Sequence, residues 1–459
     1  MPGAEVDVVV VGLGPGGEDV GARLARGGLD VVGVDGRLVG GECPYYACIP
    51  TKMMIRATDV LGEARRVAEL AGTVEVTPDW APVARRIREE ATDNWDDRVA
   101  VERFEGAGGT FVRGWGRLTG AREVTVTTPD GSERVFTARR GVVLNTGTEP
   151  AVPSVDGLAE TPYWTNRDAV AVEEVPGSLV VLGGGPVGCE LAQVFSRFGA
   201  RVTIVQHAER LLPADEPEAG DLLARALTGE GVTVRTWLSA ARVSYETGQF
   251  QVKLDNGEVV TADRMLVAAG RRTDMRALGV GAAGLDENAR GITVDERMRA
   301  ADGLWAIGDI TGHGAFTHMS MYQARIAAAD ILGEDDAEVA DYRATPRVTF
   351  TDPEIGSVGL TEAAAREKGL NVRVGLSELP YSSRGFIHKV GNEGFIKVVE
   401  DADRGVLVGA SAAGPNGGEV LGALVVAVHA EVPVKLLRQM IYAYPTFHRA
   451  IEDALSKLA

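Results

Sequence analysis

The sequence predicts an α/β protein in which two similar strand–turn–helix–strand units are joined to a C-terminal α+β domain. The two units share one pattern: an apolar run, a Gly-rich turn, a helical stretch and a second apolar run. The spacing is also shared, because 23 positions separate Gly12 from Asp35 and 23 separate Gly183 from Gln206. From about residue 341, strand-like runs mix with short helical ones, which is typical of an α+β domain.

Each Gly-rich turn has the pattern G-x-G-x-x-G between an apolar strand and a helix. The glycines are Gly12, Gly14 and Gly17 in the first turn and Gly183, Gly185 and Gly188 in the second. Glycines let the backbone approach a pyrophosphate closely, and the N-terminus of the following helix stabilises its charge. One such motif is weak, but two with equal spacing predict two Rossmann-like dinucleotide-binding domains. The alternative is two Gly-rich turns that bind no ligand.

The other elements follow in a regular order along the chain. Residues 51–105 are predicted to be largely helical, and residues 110–145 to form alternating strands. Each dinucleotide-binding unit then closes with an apolar strand and a glycine, Gly147 in the first and Gly270 in the second. A further buried strand ends in an acidic residue, Asp309.

Length, charge and cysteine content restrict the class of function. A chain of 459 residues suggests about three domains, and a net charge of −18 argues against binding nucleic acid or anionic membranes. No apolar run reaches about 18 residues, so we expect no transmembrane helix. The N-terminus has no basic region before its first strand, so we expect no secretory signal. Only three cysteines are present, and two share one motif, which is typical of a cytoplasmic protein with a redox centre.

Cys43 and Cys48 lie five positions apart, shortly after the first Gly-rich turn. In a regular helix such positions are about 7.5 Å apart along the axis, whereas a disulfide tolerates Cα separations up to roughly 7 Å. A bridge therefore needs a distorted turn, and Pro44 and Pro50 are expected to supply the breaks. A strained disulfide is easily reduced and is more often catalytic than structural. The alternative is two unrelated buried cysteines.

Taken together, these segments resemble the class I pyridine nucleotide–disulfide oxidoreductases, which include glutathione reductase, dihydrolipoamide dehydrogenase and mercuric reductase. The resemblance covers nearly the whole chain, and its most specific part is the redox segment, residues 40–52. The other matching segments are residues 12–17, 145–147, 183–190, 269–272, 307–309 and 350–354.

The resemblance implies an FAD-binding domain, an NAD(P)-binding domain and a C-terminal domain that forms a homodimer. Each active site would be shared between the two subunits. The expected limits are 1–150 and 271–340 for the two parts of the FAD domain, 151–270 for the NAD(P) domain and 341–459 for the dimerisation domain. It implies FAD and a nicotinamide cofactor, and no metal site.

The resemblance also implies roles for individual residues. Cys48 would be the proximal thiol against the flavin, and Cys43 the distal thiol that attacks the substrate. Lys52 and Glu190 match a pair near the flavin N5, and Asp35 would bind the adenosine ribose of FAD, to which a carboxylate is suited. The other expected cofactor-binding residues are Gly12, Gly14, Gly17, Gly41, Thr146, Gly147, Asp309 (at the ribityl chain), Thr317, Gly183, Gly185, Gly188 and Gly270, together with Lys52 and Glu190 themselves.

Each of these roles has a simpler structural alternative. Lys52 could be an exposed helix lysine, and Glu190 a solvated residue in the first turn of a helix. The third cysteine, Cys189, is expected to be a small core residue and not a redox partner.

The acidic position of the second unit holds Gln206, and His207 follows it. A carboxylate there would repel the 2′-phosphate of NADPH, whereas a neutral Gln with a neighbouring His would not. We therefore expect NADPH, with NADH possible if Gln206 hydrogen-bonds a ribose. A second departure from the family pattern is Tyr45 and Tyr46 between the two cysteines, which either reshape the acceptor side of the disulfide or only pack the helix.

The largest departure lies near the C-terminus. Disulfide-reducing members of the family typically read His-Pro-Thr, with a Glu four residues after the Pro, but here Tyr444 and Arg449 occupy the His and Glu positions. Arg cannot accept a proton, and an unperturbed Tyr titrates near pH 10, so it is a poor base at neutrality. His448 either replaces the missing group or is structural. Mercuric reductases also carry Tyr in this tail.

The predicted function is an FAD-dependent NAD(P)H oxidoreductase. It would pass electrons through FAD to a Cys43–Cys48 disulfide and on to a small-molecule or protein disulfide, or to another thiol-reactive acceptor. Two alternatives stay open. One is a quinone or dye reductase, or a transhydrogenase, with idle cysteines; the other is a non-enzymatic flavoprotein that senses redox state. Retention of both cysteines with Lys52 favours the first function, and loss of the His–Glu pair keeps the alternatives open.

Overall fold

The computed structural model describes residues 4–335 and 338–459, and the described chain forms two compact units. The first unit comprises Met1–Pro50, Arg85–Pro150 and Arg271–Asp341, and the second comprises Thr51–Ala84, Ala151–Gly270 and Tyr342–Ala459.

The strands are β1 (Ala4–Val11), β2 (Val31–Asp35), β3 (Thr110–Arg113), β4 (Trp115–Gly120), β5 (Glu123–Thr127), β6 (Glu133–Leu144), β7 (Glu149–Pro150), β8 (Ser178–Leu182), β9 (Arg201–Val205), β10 (Thr233–Arg235), β11 (Ala240–Glu246), β12 (Gln249–Leu254), β13 (Val259–Ala262), β14 (Arg264–Val267), β15 (Arg271–Arg272), β16 (Arg299–Ala301), β17 (Leu304–Ala306), β18 (Pro346–Thr349), β19 (Glu354–Gly359), β20 (Val372–Glu378), β21 (Phe395–Asp401) and β22 (Val406–Gly414).

The α-helices are α1 (Pro15–Arg26), α2 (Glu42–Tyr45), α3 (Cys48–Leu70), α4 (Ala81–Arg86), α5 (Arg98–Gly106), α6 (Asn166–Val170), α7 (Pro186–Arg197), α8 (Pro217–Gly229), α9 (Met275–Leu278), α10 (Thr317–Leu332), α11 (Glu362–Glu367), α12 (Ser383–His388), α13 (Gly417–His429), α14 (Val434–Leu437) and α15 (Ala450–Ser456). A π-helical turn spans Ile87–Ala91, and short 3₁₀ helices span Leu158–Glu160, Val280–Ala283, Gly308–Thr311, Leu379–Tyr381 and Phe447–Arg449.

The first unit is built on a parallel sheet. Its parallel strands lie in the order β17-β6-β1-β2-β3, with β16 antiparallel at the β17 edge, and β4 and β5 pair antiparallel beside β6. Val8 on β1 pairs with Val31 on β2. The β1 residues from Val8 to Val11 are almost completely buried, as expected for a strand covered on both faces.

The second unit contains another parallel sheet, ordered β10-β9-β8-β14. Ser178 on β8 pairs with Arg201 on β9, so strand partners are 23 positions apart here as in the first unit. The equal spacing of the two Gly-rich segments therefore reflects one strand register used twice. This unit also holds a three-stranded antiparallel sheet, β11-β12-β13, and a five-stranded antiparallel sheet, β18-β19-β22-β21-β20.

The predicted fold class is confirmed: two Rossmann-like parallel sheets are accompanied by a C-terminal α+β region, in which α13 and α15 pack on the five-stranded sheet. The expected domain limits stay a prediction. The long helical stretch expected over residues 51–105 is wrong in its middle. Helix α3 ends at Leu70, and the next ten residues include Gly72, several β-branched residues and Pro78, which do not favour a helix. The strand-like runs expected after residue 341 form one sheet, in the order β18-β19-β22-β21-β20.

A buried lysine joins several segments of the second unit. The Lys397 ammonium on β21 lies 3.0 Å from Glu216, 2.8 Å from Glu218 and 3.1 Å from Glu362, and only 4% of its side chain is exposed. Burial alone would lower the pKa of Lys397, but the carboxylates raise it above its ordinary value. The ammonium is therefore charged and is a counter-ion for all three acids, of which Glu362 also pairs with Arg366 at 2.9 Å.

Replacing Lys397 with Met should destabilise the second unit strongly, because it leaves buried carboxylate charge without a cation. Breaking such a buried pair typically costs about 3–5 kcal/mol. We expect the midpoint of thermal denaturation to fall by several degrees, measured by circular dichroism. The matched control is Lys457→Met at an exposed lysine, which should leave the midpoint nearly unchanged. Equal midpoints for the two variants would contradict a structural role for the Lys397 cluster.

Candidate active site

The two Gly-rich turns have the same close contact. A Cβ atom built on Gly17 would lie 2.0 Å from the carbonyl oxygen of Gly12, and one on Gly188 would lie 2.0 Å from that of Gly183. No other residue type fits at such a distance, so the third glycine of each motif lets the helix begin directly against its strand. The helices α1 and α7 also have a glycine as N-cap residue, which leaves their N-terminal ends without a capping side chain. A pyrophosphate oxygen can take that place.

Asp35 ends β2, where its carboxylate accepts hydrogen bonds from the backbone N–H groups of Leu13 (2.8 Å) and Arg37 (2.7 Å). Burial raises the pKa of this carboxyl, and the two N–H bonds oppose that rise. The Leu13 bond connects the carboxylate to the Gly-rich turn itself. Asp35 is therefore placed beside the turn, as a ribose-binding acid of a dinucleotide site is.

The residues after β6 line the same turn. Asn145 donates from Nδ2 to the carbonyl of Gly12 (3.2 Å) and accepts from the Ser320 hydroxyl (2.9 Å). Within the described part of the chain, the buried hydroxyl of Thr146 has no hydrogen-bond partner. A buried hydroxyl without a partner is costly, so a ligand group at this turn would satisfy it. The glycine turn, Asp35 and Thr146 together fit the phosphates and ribose of FAD.

Arg271, for which no role was predicted, connects two acids of the first unit, Asp309 and Glu42. Arg271 donates to the Thr148 carbonyl (2.6 Å) and lies 3.9 Å from Asp309 and 3.8 Å from Glu42, the residue before Cys43. Asp309 also accepts from the Thr148 hydroxyl (2.9 Å). Burial raises the pKa of the Asp309 carboxyl, which Thr148 and Arg271 oppose. Arg271 belongs to the Ala-Gly-Arg-Arg segment at residues 269–272, but the sequence alone does not indicate which acidic side chains lie near its guanidinium.

The two redox-segment cysteines lie on either side of a helix break. Cys43 is in α2, and Cys48 is the first residue of α3. Both are half-buried. The break is at Tyr46, which ends α2 with a φ of −135°, and at Ala47 after it.

The break expected between the cysteines is thus present, but the expectation that the prolines supply it is wrong. Pro44 lies inside α2, and Pro50 lies in the first turn of α3. Proline is tolerated in a first turn because the N–H groups there have no partner within the helix.

The N-termini of α3 and α10 lie close together, at Cys48 and Thr317. The Cys48 Sγ atom lies 3.4 Å from the Thr317 hydroxyl, and Thr317 is the first residue of α10. The N-terminus of a helix carries partial positive charge, which stabilises a thiolate over a thiol. The Cys48 sulfur is thus in an environment suited to redox chemistry.

Lys52, four residues after Cys48, forms an ion pair with Glu190 on α7, with Nζ 2.7 Å from Oε2. Glu190 is 5% exposed, and its second oxygen accepts from the backbone N–H of Phe350 (2.8 Å). The Phe350 ring centroid lies 4.8 Å from the Lys52 ammonium. The solvated first-turn alternative for Glu190 does not hold, since the carboxylate is buried and bonded through both oxygens.

Gln206, at the acidic position of the second unit, is held by hydrogen bonds from its side chain to backbone groups. Gln206 is buried; it accepts from the N–H of Gly184 (3.2 Å) and donates to the carbonyl of Arg210 (3.3 Å). His207 beside it is exposed. Cys189 is fully buried and donates to the carbonyl of Gly184 (3.4 Å), and burial raises the pKa of its thiol far above the usual range, as expected of a core residue.

The remaining predicted glycines take the following positions. Gly41 is the N-cap residue of α2, Gly147 follows β6, and Gly270 lies between β14 and β15.

The C-terminal motif lies at the start of α15. Tyr444 is 69% exposed, and the guanidinium of Arg449 lies 5.6 Å from its ring centroid. Arg449 also pairs with Glu452 at 2.7 Å. His448 is half-buried; its Nδ1 lies 3.4 Å from the Thr446 hydroxyl.

Tyr444 precedes the helical turn and does not share a helix with His448, because the 3₁₀ turn begins only at Phe447. In the described residues, no helix is long and apolar enough to cross a membrane, and no cluster of three or more His, Cys, Asp or Glu side chains could hold a metal ion.

Known proteins match this chain over nearly its whole length. Residues 6–328 match the model for the pyridine nucleotide-disulphide oxidoreductases, and residues 345–455 match the dimerisation domain of the same proteins. The chain is 32% identical to a mercuric reductase of Acidithiobacillus ferrooxidans, over 98% of this chain and 82% of the relative. It is 33% identical to a dihydrolipoyl dehydrogenase of Chlorobaculum parvum, over 98% and 96%.

Among solved structures, a similar one is the Cu(II) complex of the HOCl-induced flavoprotein disulfide reductase RclA from Escherichia coli. The TM-score is 0.86 at 26% identity, over 98% of this chain and 99% of that one. The dimerisation-domain match supports a homodimer, and the family binds FAD and a pyridine nucleotide. The chain is an FAD-dependent enzyme and belongs to the pyridine nucleotide-disulphide oxidoreductase family.

Proposed function

We propose that this enzyme uses NAD(P)H to reduce a thiol-reactive acceptor through a Cys43–Cys48 redox pair. The observation that carries the proposal is the position of Cys48, whose sulfur lies at the start of α3 and 3.4 Å from the Thr317 hydroxyl at the start of α10. FAD bound in the first unit would supply the hydride acceptor for the reduced nicotinamide and the two electrons that reduce the disulfide.

The protein groups then have separate tasks. Cys48 is the proximal thiol; it lies at a helix start, a position that favours thiolate chemistry, and its sulfur can accept a hydrogen bond from Thr317. Cys43 is the distal thiol. Lys52, held by Glu190 at 2.7 Å, presents a cation near the flavin. Gly12, Asp35, Thr146 and Asp309 belong to the proposed FAD site, and Gly183 and Gln206 to the nicotinamide-cofactor site.

With a disulfide as acceptor, the thiolate of Cys43 attacks one sulfur and the other leaves as a thiolate. The Cys48 thiolate then attacks Cys43, which releases the second thiol and restores the disulfide. Two electrons pass to the acceptor, and two protons are needed to give two thiols. A positioned acid–base group usually accelerates such a proton transfer by about 10²–10⁴-fold.

The C-terminal tail has Tyr444 and Arg449 at the positions where the family usually has its acid–base His and Glu. Tyr444 is an exposed phenol, and Arg449, which pairs with Glu452, supplies only positive charge. We therefore propose an acceptor whose reduction needs no proton from this tail. A soft metal ion fits, because two thiolates can bind it directly. The similarity to mercuric reductase, whose substrate is a metal ion, supports this choice. A disulfide with a good leaving group is the second candidate.

Two further parts of the proposal concern the cofactor and the assembly. We propose NADPH as the preferred reductant, since Gln206 brings no negative charge to the second Gly-rich turn; NADH is the alternative. We also propose that Tyr444 acts at the partner subunit's site in a homodimer, because it lies exposed in the region that matches the dimerisation domain. The cytoplasmic location stays a prediction.

The redox pair is tested by anaerobic reduction of the holoenzyme. If Cys43 and Cys48 exchange electrons with the flavin, the wild type should take up four electrons per subunit, with a long-wavelength absorbance band after the first two. Cys48→Ser should take up only two, without the band. The matched control is Cys189→Ser at the buried cysteine, which should titrate as the wild type does. A Cys48→Ser titration identical to the wild type would refute the redox role.

The cofactor proposal is tested at Gln206. Gln206→Glu adds a charge that repels a 2′-phosphate, and a mismatched charge or lost hydrogen bond shifts affinity by roughly 1–3 kcal/mol. The ratio of kcat/KM for NADPH to that for NADH should therefore fall about tenfold or more. Gln251→Glu, at an exposed strand position, is the control and should leave the ratio unchanged. Strong NADH selectivity in the wild type that the Gln206 change does not alter would contradict the proposal.

The acceptor proposal is tested by restoring the usual acid–base pair. Wild-type turnover with glutathione disulfide and lipoamide should be slow, although stopped-flow reduction of the flavin by NADPH is fast. Tyr444→His combined with Arg449→Glu should raise disulfide turnover at least tenfold, and turnover with mercuric ion should not rise in parallel. Rapid wild-type turnover with either disulfide, unaffected by changing both Tyr444 and His448, would eliminate this interpretation.

A further inference from the structure

One face of helix α7 is bonded to the segment 350–352 at three successive positions. Glu190, Gln193 and Arg197 are spaced by three and four residues, which places them on the same side of a helix. The carboxylate of Glu190 accepts from the N–H of Phe350 (2.8 Å), as described above. The next two residues on this face bond the other end of the segment, at Asp352.

Gln193 binds Asp352 with both ends of its amide. Its Oε1 accepts from the Asp352 N–H (2.8 Å), and its Nε2 donates to the Asp352 carbonyl (2.9 Å). Gln193 is 3% exposed. A buried amide that hydrogen-bonds both the N–H and the carbonyl of one residue fixes the position of that residue. Moving the residue would break two hydrogen bonds and leave buried polar groups without partners.

The side chain of Asp352 is held by two guanidinium groups. Arg197 on α7 and Arg66 on α3 each lie 2.6 Å from the same carboxylate oxygen. Arg197 is 1% exposed; it also pairs with Glu230 at 2.5 Å and donates to the Thr58 carbonyl on α3 at 3.1 Å. Burial would raise the pKa of the Asp352 carboxyl, but the two arginines bring it below its ordinary value. The segment is therefore tied to both helices.

These two helices carry the Lys52–Glu190 pair. The segment touches both partners, through the Phe350 N–H on Glu190 and the Phe350 ring 4.8 Å from the Lys52 ammonium. We propose that Gln193 and Arg197 are positioning residues, which set the place of Phe350 and thereby fix the Lys52 ammonium against Glu190. The inference rests on the proposed role of Lys52 near the flavin. Replacing buried ion pairs by well-packed apolar residues is often neutral for stability, so the fixed geometry of this polar network gives a reason for it beyond stability.

The test begins with the position of Lys52 itself and uses the FAD-loaded enzyme. Gln193→Met removes both amide bonds to Asp352, together with the longer Nε2 bonds to the Glu230 carboxylate (3.3 Å), and keeps the length and apolar volume of the side chain. We expect the Lys52 amine, 35% exposed in its side chain, to be acylated several-fold faster, as measured by peptide mass spectrometry. The matched control is Ser196→Ala on the same helix, whose hydroxyl donates to the Glu230 carbonyl and not to the segment. It should leave the acylation rate unchanged.

The second measurement is a double-mutant cycle with Lys52→Met, read as the rate of flavin reduction by NADPH in a single turnover. Misplacing a reacting group by about 1 Å can cost on the order of 10²-fold, so Gln193→Met should slow reduction at least tenfold. In the Lys52→Met background it should change the rate less than twofold. Arg197→Lys, which keeps the charge, should act in the same direction as Gln193→Met.

The outcomes distinguish the positioning proposal for Gln193 from the proposed role of Lys52 near the flavin. Unchanged acylation of Lys52 in Gln193→Met overturns the positioning proposal, as does equal slowing of reduction in the presence and absence of Lys52. If acylation rises but Lys52→Met reduces its flavin at the wild-type rate, the positioning of Lys52 is supported and its role near the flavin is wrong. A fall in the denaturation midpoint of Gln193→Met without faster acylation would assign Gln193 a purely structural role.

Discussion

The contact between the third glycine of each turn and the carbonyl of the first is the constraint on which both nucleotide sites depend. Because a Cβ atom at Gly17 or Gly188 would lie 2.0 Å from that oxygen, each helix can begin only where a glycine allows it. In the second unit this also sets the position of Glu190, two residues after Gly188. The backbone contact that opens a phosphate site thus also places the acid that meets Lys52.

Partly or fully buried acids recur around the sites, and each is stabilised differently. Asp35 is held by backbone N–H groups, Asp309 by Thr148 and more distantly by Arg271, and Glu190 by a lysine and a backbone N–H. A charged group in low dielectric is costly unless it is bonded in this way. Asp35 and Asp309 keep acceptor capacity for ligand hydroxyls, whereas Glu190 uses both oxygens within the protein. Glu190 therefore has no carboxylate oxygen left for a ligand hydroxyl, and its part in the proposed site is to hold Lys52.

Features that depend on residues close together in the sequence were predictable. The two Gly-rich turns predicted the two parallel sheets, because strand register and helix length together fix their 23-residue spacing. The break between the cysteines followed from disulfide geometry, although Tyr46 and Ala47 form it and not the prolines. Contacts between distant residues were less accessible. The Lys52–Glu190 pair, 138 positions apart, came only from family resemblance, and the partners of Arg271 and Gln193 were not predicted, since no local pattern encodes which backbone group a buried side chain will meet.

In the C-terminal tail, the two departures from the family's His–Glu pair are in contact with each other. Arg449 stands at the position of the Glu, where it pairs with Glu452 and lies over the Tyr444 ring. Tyr444 and Arg449 therefore form one local unit. Such a unit can orient a phenol and favour negative charge near it, but it cannot take up and return a proton as a His–Glu pair does. In the function proposed above, Cys43 and Cys48 carry electrons to a thiol-reactive acceptor, while Tyr444 and Arg449 stand at the positions of the His–Glu pair. This combination suits an acceptor bound by two thiolates better than one that must leave as a protonated thiol.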